Sequence, residues 1–114
     1  MREVCLLIGR GGAVLWSDTS DSPLALVDSR ARWEAIWRHR DELEAIVHSH
    51  PAGPHAFSRE DETTMDAVDA ALGKGLRYVV VSPQGLVVRE GGREVEPGEA
   101  TPWWVPLLKL ASGM

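Results

Sequence analysis

The chain has 114 residues, 44% of them hydrophobic and five of them Trp, which predicts one domain over 1–114 with a core of its own. With 17 acidic against 12 basic residues the net charge is −5, which speaks against a nucleic-acid partner, since such binding depends on basic surface. No apolar run approaches the length of a membrane span, Met1-Arg-Glu-Val does not read as a secretory signal, and a lone Cys5 excludes an intrachain disulfide, so the expectation is a soluble cytoplasmic protein.

Val4 to Ile8 is apolar throughout, Arg10-Gly11-Gly12 turns the chain, and Ala13 to Trp16 returns as the second arm of a hairpin. Leu24 to Val27 offers another short strand, after which Asp28 or Ser29 caps a helix. On that helix Trp33, Ile36 and Trp37 stand at i, i+3 and i+4, the spacing of a core stripe. Arg30, Glu34, Arg38 and His39 are expected on its wet side.

Leu43 to Val47 has the composition of a strand buried on both faces, closed by His48 and His50. Side chains of a strand repeat every two residues, so both imidazoles project from one face while Ser49 points to the other. Two nitrogens can then converge on one ion. Pro51 and Gly53-Pro54 end the strand, and a helix starts at Ser58. Asp61 falls in its first turn, where the helix dipole favours a carboxylate that can turn back toward the strand end as a third ligand. Ser58-x-x-Asp61 is equally a capping box, and the two roles are compatible. Two His and one Asp leave a tetrahedral position open, the mark of a catalytic zinc site.

This second helix runs from Ser58 to about Leu72 with Met65, Val68 and Leu72 inward and stops at Gly73-Lys74-Gly75. Arg77 to Val81 is a β-branched strand, Pro83-Gln84-Gly85 a turn, and Leu86 to Arg89 its hairpin partner. A short strand at Arg93 to Val95 lies between glycine-bearing loops. The last apolar segment is read as helical from Pro106 onward. Trp103 and Trp104 cannot both face one core; the alternatives are sheet cover and a surface for a homodimer or other partner.

His48-Ser49-His50-Pro51, with seven residues between His50 and Ser58, then Ser58-x-x-Asp61 resembles the JAMM (MPN+) zinc metalloprotease motif, in its compact prokaryotic form. The resemblance implies an α/β fold, a curved mixed sheet flanked by helices of JAB/MPN-like (cytidine-deaminase-like) architecture. It implies zinc on His48, His50 and Asp61 and hydrolysis of amide or isopeptide bonds. The family's upstream glutamate opens a strand similar to Glu3-Val-Cys-Leu-Leu-Ile-Gly9, with Leu6 where the family usually has glycine.

Such a site needs a proton carrier as well as a metal. Glu44 shares a strand face with His48 but lies roughly 13 Å away along it. Glu34 sits on a polar helix face and Glu42 in a turn, so Glu3 is the expected base, by elimination and by resemblance. Ser58 is, as in the family, the expected donor to the oxyanion, while His55 is expected in solvent. The expected substrate is a ubiquitin-like or sulfur-carrier-like protein cleaved after a Gly-Gly tail, because so short a chain has little surface with which to grip a large partner. The rival expectation is a non-catalytic MPN-like or RadC-like scaffold.

Overall fold

A computed structural model describes residues 1–20 and 29–114, so the strand expected at Leu24 to Val27 lies outside the described residues. Its six-stranded sheet is built from β1 (Val4–Gly9), β2 (Val14–Thr19), β3 (Leu43–Ser49), β4 (Arg77–Ser82), β5 (Gly85–Glu90) and β6 (Arg93–Val95), in the order β2-β1-β3-β4-β5-β6. Helices α1 (Arg30–Arg38), α2 (Arg59–Leu72) and α3 (Trp104–Ser112) cover it. The β3–β4 pair is parallel and is joined across α2; the other four pairs are antiparallel. This is the mixed α/β sheet that the sequence predicts.

The period of two along each strand sorts the core into two layers. Leu6, Ile8, Ala45, Val47, Val79 and Val81 pack on one face against Trp104, Val105 and Leu108 of α3. Leu7 and Tyr78 pack on the other face with Ala35 and Ile36 of α1 and Met65 and Val68 of α2, joined by Leu43, which the register shift between Ala45 and Leu43 takes out of the alternation. β3 is less evenly buried than its composition predicts: Glu44 is exposed, and Ile46 and His48 are half-buried on the side of α1 and α2.

Ser49, fully buried on the α3 face, ties three elements together. Its Oγ accepts from the backbone N–H of Val4 at 2.9 Å and lies 2.6 Å from Ser112 Oγ, which is itself 2.7 Å from the Leu108 carbonyl. A carbonyl only accepts, so the Ser112 hydrogen goes to Leu108 and Ser49 donates to Ser112. The start of β1, next to Glu3, is thereby pinned to the end of β3.

The tryptophans of α1 and α3 lie differently from what their spacing predicts. The buried stripe of α1 runs through Arg32, Ala35, Ile36 and His39 at i, i+3, i+4 and i+7, leaving Trp33 38% and Trp37 55% exposed. A small Ala and two polar ends disguise that stripe, and His39 is half-buried rather than exposed. Arg40 covers Trp37, its guanidinium carbon 4.1 Å from the ring centroid. α3 starts at Trp104, two residues before the expected Pro106, because a proline in the first turn removes an N–H that has no helical partner anyway. Trp104 belongs to the core, as sheet cover, whereas Trp103 is 58% exposed and donates from Nε1 to the Gly12 carbonyl at 2.8 Å.

Candidate metal centre

His48 and His50 leave β3 on the same side, as the alternation requires. The extended backbone continues past the strand, with the His50 N–H donating to the Val81 carbonyl at 2.8 Å. The two rings meet edge to face, centroids 4.7 Å apart, and their Nε2 atoms are separated by 3.0 Å. His50 Nδ1 lies 3.0 Å from the Pro54 carbonyl, so it carries the proton and the neutral ring turns a lone pair on Nε2 inward. Burial, and then the charge of His48, hold the His50 pKa below the ordinary imidazole value.

The carboxylate of Asp61 arrives from α2. Ser58 caps that helix with a complete capping box: Asp61 N–H donates to Ser58 Oγ at 3.0 Å and Ser58 N–H donates to Asp61 Oδ2 at 2.9 Å. The box aims Oδ2 at the imidazoles, 3.5 Å from His48 Nε2 and 3.7 Å from His50 Nε2. Burial alone would raise this carboxyl's pKa; the hydrogen bond and charge of His48, with the bonds from Ser58, outweigh it and hold it at about 2. Accepting the cap bond leaves the Ser58 hydroxyl hydrogen free to donate elsewhere.

Glu3 comes from the neighbouring strand. β1 runs antiparallel to β3 with Cys5 opposite His48, so the register continues to place Glu3 opposite His50. Its Oε1 lies 3.6 Å from His50 Nε2, and the residue is only 3% exposed. Burial pushes its pKa up to about 7, against the opposing pull of His48.

Two imidazole nitrogens and two carboxylates converge here, and with the proton on His48 Nε2 displaced they form a donor set that a cation could hold. Glu3, His48 and His50 offer ligand atoms within 4.8 Å of one another and could hold a metal ion. The triangle of His48 Nε2, His50 Nε2 and Asp61 Oδ2 has edges of 3.0, 3.5 and 3.7 Å. Ligands at tetrahedral angles with bonds near 2.0–2.1 Å stand about 3.3 Å apart, so this second set fits without rearrangement.

All five residues singled out in the sequence therefore meet in one place, and a cavity of about 590 Å³ opens beside them. Three participants had no local signal. The Pro54 carbonyl orients His50 only because the loop folds back. His55, exposed as expected, is nonetheless fastened, its Nδ1 2.6 Å from the Oγ of buried Ser82. Arg32 lines the cavity from α1, where its spacing disclosed nothing.

No curated protein matches the chain. A family model described as prokaryotic homologs of the JAB domain matches residues 4–101, beginning one residue after Glu3 and ending before α3. Because that span takes in every element from β1 to β6, the chain belongs to the prokaryotic homologs of the JAB domain.

Proposed function

We propose that the chain is a zinc-dependent hydrolase of amide or isopeptide bonds, with His48, His50 and Asp61 as metal ligands. The observation that carries this reading is the nitrogen–nitrogen–oxygen triangle with the Glu3 carboxylate buried against it. Two nitrogens and one oxygen suit zinc better than magnesium or calcium, which prefer oxygen cages. Zinc bound there would supply Lewis acidity toward a carbonyl and toward water.

The chain's own groups do the rest. Glu3 accepts a proton from the attacking water and returns it to the departing amine, so that amide and water become acid and amine. Its burial keeps bulk water from competing for that proton. Ser58 donates its free hydroxyl hydrogen to the oxygen on which negative charge develops.

The substrate we propose is a ubiquitin-like or sulfur-carrier-like protein ending in Gly-Gly. Among the described residues β2 is an edge strand, and just beyond it the Ser20 N–H donates to the Glu3 carbonyl at 2.9 Å, so a tail added along that edge would end near the cluster. Glycine lets its backbone approach closely. The test compares small β-grasp proteins carrying C-terminal fusions after Gly-Gly with matched fusions bearing other residues there. Faster release after Gly-Gly, reduced roughly 10²- to 10⁴-fold in Glu3→Gln with zinc retained, is the expected result. Equal rates on all fusions would indicate a general peptidase, and no release by zinc-loaded protein would favour the scaffold reading.

A further inference from the structure

α3 buries Trp104, Val105, Leu108 and Ser112 against the sheet, yet its outer side is apolar as well. Trp103 is 58%, Leu107 41% and Leu110 79% exposed. Trp103 already has helical dihedrals, φ −60° and ψ −30°. At about 100° of turn per residue these three, with exposed Pro106, fall within roughly 100° of the helix circumference. Lys109, the one charged residue of α3, flanks that stripe. The indole of Trp103 is held in place by its bond to the Gly12 carbonyl, and it packs so closely on that turn that a Cβ on Gly12 would stand 2.9 Å from Nε1. A ring already fixed loses little freedom when something covers it. Weighted by exposure, the four side chains present roughly 400 Å² of contiguous apolar surface on one helix face, the size at which a patch marks a contact site.

We propose that this face pairs with the same face of a second copy of the chain, α3 against α3, antiparallel about a two-fold axis. The stripe is complementary to itself: Trp103 and Leu110 are equidistant in sequence from the midpoint between Pro106 and Leu107, so each fixed indole meets the partner's Leu110. Antiparallel helices also set each N-terminus beside the other's C-terminus, where their dipoles attract. Two such stripes cover roughly 800 Å² of apolar surface between them, and a rim of ordinary width carries the buried total past the roughly 1,000 Å² that a specific interface needs. That is the small end of the range, so monomer and dimer exchange. α3 lies on the sheet face opposite His48, so both metal clusters of the pair stay open, and the inference stands apart from the metal-hydrolase reading.

Sedimentation of the full chain over a dilution series tests this. At about 100 μM, a concentration at which a small interface is populated, the mass should approach twice the 12.5 kDa of one chain, falling to the single-chain value on dilution. Leu110→Glu and Trp103→Lys should each keep the single-chain mass throughout, with circular dichroism showing each folded. Mixed in equal amounts, the two variants should recover the doubled mass, because one contact then pairs Lys with Glu and the other keeps Trp103 on Leu110. Wild type at the single-chain mass at about 100 μM overturns the pairing and leaves the stripe to a different protein. A doubled mass that survives Leu110→Glu overturns it too, since the copies then meet elsewhere. Variants that stay apart when mixed overturn the antiparallel arrangement.

Discussion

Cys5 shows how much the burial of one group can do. It sits on β1 two residues from Glu3, fully buried, and burial pushes its thiol up to about 12 from 9.0. In the unfolded chain the thiol ionises near 9, so between the two values the folded state holds the proton more tightly. Its contribution to stability is complete below pH 9 and is lost as pH rises toward 12, at about 1.4 kcal/mol per pH unit. Denaturant unfolding at pH 8 and pH 10.5 should show the wild type losing more stability than Cys5→Ala, and thiol reagents should leave the native protein unmodified. Equal losses would mean the thiol ionises in the folded state.

His55 acts at the same scale, but through the loop. Its bond to Ser82 fastens the segment that presents the Pro54 carbonyl to His50. Partners that orient a metal-bound histidine typically change affinity 10- to 100-fold, and His55 is one step further removed. His55→Ala should weaken zinc binding by about tenfold, measured by competition with a chelating dye, while the melting temperature of metal-free protein barely moves. A drop in melting temperature with unchanged affinity would assign the bond to the fold alone.

At the scale of elements, the site depends on β1 and β3 keeping their register, and the Ser49–Ser112 pair on the far face of the sheet serves that end. Ser112→Ala leaves Ser49 and the Leu108 carbonyl without that partner in a buried place, a loss of about 1–3 kcal/mol. Chemical denaturation should read that loss, and a change below about 0.3 kcal/mol would show that the bond carries nothing. Elements also show where sequence reasoning succeeds. α2 announced itself through a capping box, an apolar stripe and a glycine stop, all local chemistry, and its bounds fall where those signals put them. α1 was announced by its cap, Ser29, but its inner face was not: two large tryptophans mask a stripe whose members are an arginine, an alanine, an isoleucine and a histidine. Periodicity weighted by hydrophobicity fails when a partly polar face is the buried one.

For the whole molecule, the sheet brings together what the chain keeps apart. His48, His50, Ser58 and Asp61 lie within one strand–loop–helix unit, so their meeting was legible from spacing. Glu3 was reachable only by elimination and by resemblance, and it is the antiparallel β1–β3 register that brings it opposite His50. The cavity beside them was not legible at all, because its lining comes from α1, α2, β1, β3 and β4, and no one segment carries its pattern. Among the described residues no helix is long and apolar enough to cross a membrane.

The central claim is that zinc sits on the two imidazoles with Asp61 while Glu3 stays free to move protons, although Glu3, His48 and His50 alone form a cluster of suitable size. Elemental analysis of protein purified without added metal, on wild type, Asp61→Ala and Glu3→Gln in parallel, separates the two arrangements. The account predicts one zinc per chain in wild type and Glu3→Gln and little in Asp61→Ala. Zinc lost from Glu3→Gln and kept in Asp61→Ala would contradict it.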